Sequence, residues 1–141
     1  MYGDTSVIRR QAQALRERAD DIRAEADELV VRAESVAWTG LAADGMRRLA
    51  RDHGGRLRAC ADAHDRAADA LDHHAREVDR VRDLIAEIEH RAHRLLHSVT
   101  HGVSSLVGHV VPDAVDHWAR GFDPPPHGHL AWLDVRLPRS A

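Results

Sequence analysis

Lysine and asparagine are both absent from the 141 residues, and all 20 basic side chains are arginine. A GC-rich coding sequence accounts for that bias without any site. Cys60 is the sole cysteine, so no disulfide can form within the chain. Aromatic residues make up only 4% of the sequence, which excludes a thick aromatic core and leaves aliphatic seams to supply buried surface. Positive charge is not in excess either. The net charge is -3 with both signs interleaved, so the basic stripe that a phosphate backbone requires is missing and no nucleic-acid partner is expected. No apolar run approaches a membrane span, and residues 1–10 lack the apolar core of a Sec signal peptide. The expectation is a product that is cytoplasmic when synthesised, with no membrane span.

What is present is helical periodicity. Ile8, Ala12, Leu15, Ala19, Ile22, Ala26, Leu29, Ala33 and Val36 recur at alternating steps of four and three, the spacing of one helical stripe. One heptad row of that stripe is all alanine and the other all large aliphatic, so the small row admits close approach of a partner backbone. Asp4, Thr5 and Ser6 are each acceptable N-caps, and the helix is expected to run to about Ala37. Trp38-Thr39-Gly40 then interrupts the pattern: Thr39 offers a capping hydroxyl, Gly40 tolerates dihedrals closed to other residues, and Asp44 suits a helix start. So short a connection folds the two helices into an antiparallel hairpin.

Downstream the alternation continues through Met46, Ala50, His53, Leu57, Cys60, His64, Ala67, Leu71, His74, Val78, Val81, Ile85, Ile88, Ala92, Leu95 and Val99. Gly54-Gly55 is its weak point, costing about 2 kcal/mol relative to alanines, and predicts a bend or soft turn with the heptad phase unchanged. The second helix is expected to reach His101 or Val111, about twice the length of the first. Its stripe of Val78, Val81, Ile85, Ile88 and Leu95 then has no intramolecular helix to pack on, and a partner chain or the tail must cover it. Gly102, Ser104, Ser105 and Gly108 loosen the pattern and Pro112 ends or kinks it. Asp113 to Arg120 suits a short helix closed by Gly121, with Trp118 inward. Pro124-Pro125-Pro126 imposes an extended segment, and Leu130 to Leu137 alternates weakly, with Ala131, Leu133, Val135 and Leu137 on one side of a docked strand-like stretch. The fold class expected is all-α: a coiled-coil-like antiparallel hairpin with an extended second helix over residues 1–111, and a short helix plus Pro-rich tail over 112–141.

With its Trp38-Thr39-Gly40-Leu41-Ala42-Ala43-Asp44 string between two heptad helices, the chain resembles the Trp-x-Gly (WXG) family of small helical type VII (ESX) secretion proteins, over roughly residues 5–95. The resemblance implies a hairpin that pairs with another hairpin, as a homodimer or heterodimer, in a four-helix bundle. It implies no catalysis. In that family the turn of one subunit lies beside a Tyr-x-x-x-Asp/Glu motif of its partner, and the secretion ATPase reads the two together. Here the tyrosine is missing, and the nearest equivalents are His73-x-x-x-Glu77 and Ala75-x-x-x-Asp79. The resemblance therefore implies a dimerising substrate, or a partner and adaptor of an exported effector whose N-terminal domain supplies the second hairpin. Secretion by the type VII machinery is part of what it implies. The alternatives are a cytoplasmic helical adaptor or immunity-like toxin-binding protein, and a metal- or pH-sensing helical bundle.

The candidate recognition motif is Trp38, Thr39 and Gly40, and the candidate partner-binding stripe is Val78, Val81, Ile85, Ile88 and Leu95. A structural reading stands beside the first, since a large ring also closes the open end of a hairpin. His53, His64 and His74 fall on the seam, where burial disfavours their charged forms and association would weaken as pH falls. Cys60 on that seam reads as a small buried thiol. His90, His93, His97 and His101 share one helical face opposite the seam; they read as a solvated face, with transition-metal chelation as the alternative. No nucleophile, base and orienting group stand on separated elements, and no glycine-rich phosphate loop is present. No enzyme, cofactor or dedicated metal site is expected.

Overall fold

Asp4 starts the first helix by turning its carboxylate onto the next residues: it accepts from the Ser6 amide at 2.9 Å and from the Ser6 hydroxyl at 2.6 Å. The computed structural model describes residues 4–102 and 113–138. Within them the chain is helical without strands: α1 over Thr5–Ser35, α2 over Leu41–Gly102, α3 over Asp113–Gly121, and a 3₁₀ turn over Leu130–Asp134. Helix α1 stops two residues before Ala37, with Val36 already extended. The residues expected to loosen and end α2, from Ser104 to Pro112, lie outside the described residues.

The chain forms two compact units that part between Glu77 and Val78, inside α2. The first unit is the antiparallel hairpin. Arg16 bonds Asp69 and Asp72 at 2.8 Å each, and one heptad on Arg23 bonds Asp62 and Asp65 at 2.7 and 2.6 Å. Arg58 pairs with Asp27 and Arg51 with Glu34, continuing the same opposed numbering. The hydrogen bonds to Asp69 and then Asp72 raise the Arg16 pKa, and those to Asp65 and then Asp62 raise that of Arg23. Such exposed pairs add little stability, but a repeated match of arginines with aspartates fixes which turn of α1 faces which turn of α2.

Between the helices lie small side chains. Ala12, Ala19, Ala26 and Ala33 of α1 are buried, as are Ala61, Ala68 and Ala75 of α2 with Gly54 one heptad before them. The expected row of His53, Cys60, Ala67 and His74 is exposed, so half of the α2 seam lies one residue C-terminal of its expected place. Leu57, His64 and Leu71 keep their expected row, half-buried beside the alanines. Near the turn the buried row is Ala43 and Ala50, and it passes to the next row at Gly54. The phase is therefore not constant, as follows when a helix of 3.6 residues per turn drifts against a seven-residue repeat.

That handover explains Gly54. A Cβ there would sit 2.9 Å from Val30 Cγ2 and 3.4 Å from the Ala26 carbonyl oxygen, so α1 occupies the space a side chain needs. Gly55 has nothing within 4 Å. The helix runs through both glycines without interruption, where a soft turn was expected. Packing gained at Gly54 offsets its low helix propensity.

In the second unit the tail covers the distal stripe. Ile85, Ala92 and Trp132 form a buried cluster, joined by Val81, Ile88, Trp118, Phe122, Val135 and Leu137. Trp118 and Phe122 stack at 4.4 Å between ring centres. Residues 130–134 are a 3₁₀ turn rather than an extended stretch: the His129 ring accepts from the Ala131 amide at 3.1 Å and caps it. This turns Trp132 inward to 1% exposure and leaves Leu133 exposed. The Trp132 indole N–H donates to the Pro126 carbonyl at 3.0 Å. Glu89, buried on α2, accepts from His127 Nδ1 at 2.7 Å and from the Gly128 amide at 3.4 Å. The tail is thus bonded to α2 as well as packed on it.

Two outcomes follow. Gly54→Leu should destabilise the hairpin by about 1–3 kcal/mol through overpacking, whereas Gly55→Ala should stabilise it by about 1 kcal/mol; thermal melts by circular dichroism check both signs. Burial alone would raise the Glu89 carboxyl, but the hydrogen bonds from His127 and Gly128 and the nearby charges of His127 and His93 outweigh it and hold the group below its ordinary 4.5. A carboxyl lowered in the folded state gives stability that is complete above its unfolded pKa and lost as pH falls through the folded one. The tail of a Trp38→Phe chain should therefore loosen below pH 4.5, seen as a shift in the fluorescence of the two remaining indoles. Adding Glu89→Gln should remove that step.

Candidate interface at the turn end of the hairpin

The turn is built from backbone first. The Trp38 amide donates to the Val36 carbonyl at 2.8 Å, a tight bend that needs no side chain. Gly40 has φ +106°, a conformation that L side chains rarely adopt, and its carbonyl takes the Asp44 amide at 3.1 Å as the first bond of α2. The cap of α2 is therefore made by Gly40. Thr39, expected to cap with its hydroxyl, is exposed.

Arg47 holds this bend closed. Its guanidinium donates to the Val36 carbonyl at 2.9 Å, as a second donor beside the Trp38 amide, and to the Trp38 carbonyl at 2.8 Å. Glu34 at 3.8 Å and Asp44 at 3.5 Å balance its charge. The sequence reading missed Arg47. The available signal was an arginine seven residues after Gly40, within reach of carbonyls that a helix ending without a glycine cap leaves unpaired.

Beside the turn the hairpin carries a groove of about 340 Å³. Leu29, Arg32 and Ala33 of α1, Val36 just after it, and Met46, Leu49, Ala50 and His53 of α2 line it. Arg32 is paired to Glu28, so the groove presents hydrocarbon rather than free charge. Leu49 in the groove is 57% exposed, and in the adjoining turn and α2 start Trp38 is 48% and Leu41 86% exposed. Singly exposed leucines are ordinary, but a groove, an indole and two leucines at one end of one hairpin form a patch of the kind that marks an interface.

Only His53 among the other expected site residues lines this groove. Of the distal stripe, Val81, Ile85 and Ile88 lie in the cluster with the tail, and Val78 and Leu95 are half-buried. Of the seam histidines, His53 lines the groove and is exposed, and His74 is exposed. His64 is half-buried and its Nδ1 donates to the Cys60 carbonyl at 3.0 Å. The seam burial expected of His53 and His74 is therefore not found. Cys60 is an exposed thiol. Among the described residues no group of three or more His, Cys, Asp or Glu is arranged to hold a metal, and no helix is long and apolar enough to cross a membrane.

Arg47→Ala should open the turn at a cost of about 1 kcal/mol, the usual net contribution of hydrogen bonds whose acceptors water can reach. Hydrogen exchange should rise first at the amides of residues 38–44, with those of Ala61 to Ala75 protected as before.

Comparison of the chain with family models, with curated proteins and with solved structures gives no match, so the reading of this patch rests on its own geometry.

Proposed function

We propose that the chain is a non-catalytic, WXG-like partner protein of a type VII secretion system that binds a helix of another hairpin through the turn-end patch. The observation that carries this reading is the apolar groove lined by Leu29, Val36, Met46 and Leu49, with half-exposed Trp38 two residues after Val36. An amphipathic helix meets such a groove with apolar side chains at steps of three and four, and an indole at the centre of a contact contributes more than its neighbours. The hairpin architecture, the Trp-x-Gly turn and the missing tyrosine motif support a role as the adaptor half of a pair, whose partner carries the export signal. The distal stripe, occupied by the tail, has no part in this contact.

The test uses the full chain and each helical-hairpin protein encoded beside its gene. Native mass spectrometry should give a one-to-one complex with one of them. Leu49→Asp or Trp38→Ala should weaken it by about 30-fold or more, the effect of losing a residue worth about 2 kcal/mol. Export of the pair by the secretion system places the protein in the type VII reading; a complex that stays in the cytoplasm makes it an adaptor. A chain that remains alone with every neighbour, or binds equally well with both substitutions, overturns the proposal.

A further inference from the structure

Along one edge of distal α2 the metal-binding residue types recur at every fourth position: Glu89, His93, His97 and His101. The first two are engaged with each other and with the tail. Glu89 Oε1 is held by His127, His93 Nε2 lies 3.7 Å from the same oxygen, and the His93 ring faces that of Trp132 at 6.1 Å. The last two are not so engaged. His97 and His101 are both exposed, their ring centres are 4.0 Å apart on consecutive turns, and among the described residues neither has a hydrogen bond or an ion pair.

We infer that His97 and His101 form a two-nitrogen chelate site for a divalent transition-metal ion. Two imidazoles four residues apart stand on one helical face about one turn apart, and here the rings already lie side by side. Metal–imidazole bonds of about 2.0–2.1 Å then need only rotation of the two exposed rings, with no movement of backbone. Neutral imidazole selects copper, nickel and zinc over magnesium and calcium, and Cu²⁺ binds most tightly in that series. The protein supplies two ligands, consistent with the absence of any group of three among the described residues, and water or a donor from a second molecule completes the shell. His90, on the preceding turns and exposed, has the wrong spacing to join either ring of the pair.

The site also has a structural consequence. Ser98 and Thr100 bond back to the Leu95 and Leu96 carbonyls at 2.7 and 2.6 Å, a local competition that weakens a helix. An ion joining residues 97 and 101 across that turn would hold the end of α2 in helical form.

The experiment titrates the full chain, purified without a histidine tag, with CuCl₂, ZnCl₂ and MgCl₂, followed by calorimetry and by electron paramagnetic resonance for copper. One equivalent of Cu²⁺ with nitrogen hyperfine structure is expected, with weaker Zn²⁺ and no Mg²⁺ binding. His97→Ala or His101→Ala should each lower copper affinity by about 100-fold or more, while His90→Ala and His93→Ala leave it unchanged and circular dichroism shows all four folded. Hydrogen exchange at residues 97–102 should slow on loading. Equal affinity in the His97→Ala/His101→Ala chain overturns the assignment, and so does loss of binding in His93→Ala, which would move the ion to the tail cluster.

Discussion

The interaction on which the rest of the structure depends is the contact of two small-residue rows. Ala12, Ala19, Ala26 and Ala33 face Gly54, Ala61, Ala68 and Ala75, and none of these side chains extends beyond a methyl group. Two helices so lined come close enough for backbone atoms to share the contact, as the 3.4 Å between the Ala26 oxygen and a Cβ on Gly54 records. Dispersion between many atom pairs replaces the large apolar side chains of an ordinary core. The arrangement tolerates no slip of one residue, because an arginine or aspartate would enter a gap that holds a methyl. The Arg16 and Arg23 ion pairs on the flank reinforce the same register.

This device stops at the N-terminal end of α1. Helix α2 has 62 residues and α1 has 31, so half of α2 lies beyond its reach. The sequence changes at that point: the buried residues pass from Ala75 to Ile85, Glu89 and Ala92. Large branched side chains cannot pack against a close backbone, but they suit a cover made of rings. Trp118, Phe122 and Trp132 provide that cover in a chain otherwise almost free of aromatics, and three of the five aromatic residues are spent there. The buried carboxylate of Glu89 then gives orientation to a contact that is otherwise non-directional.

The hairpin, the turn and the short α3 were legible from periodicity, because 3.6-residue spacing and a glycine in a forbidden region are local signals. The error in the α2 row was physical rather than statistical. Cys60, Ala67 and their neighbours sit at the same alternating spacing as Ala61 and Ala68, and apolar character does not separate the two rows. Size does. A row of alanines on α1 already required small residues opposite, and only the row of 54, 61, 68 and 75 has nothing larger than alanine throughout. The same reasoning would have read Gly54 as a close approach instead of a weak point. Glu89 was not legible, because its partners lie about forty positions away and only the folded chain brings them near, while Arg47 left no signal beyond its spacing from the turn. The groove was illegible for another reason: its residues other than Arg32 and Leu49 belong to the predicted seam, and their exposure follows from geometry.

That geometry connects the alanine rows to the proposed interface. An amphipathic helix presents an apolar stripe at least about 100° wide, whereas contact with one close neighbour buries only its centre. With alanine at the centre, the large members of the stripe lie to either side, as Ile8, Leu15 and Ile22 do in half-buried positions. Toward the turn the same rows place Leu29 and Val36 opposite Met46 and Leu49, and Leu29, Val36 and Leu49 are more exposed there than their counterparts farther along α1. No third element of the hairpin covers them. A two-helix unit held by methyl groups therefore cannot bury its own leucines, and the tightness of its centre is what leaves an apolar margin for another helix.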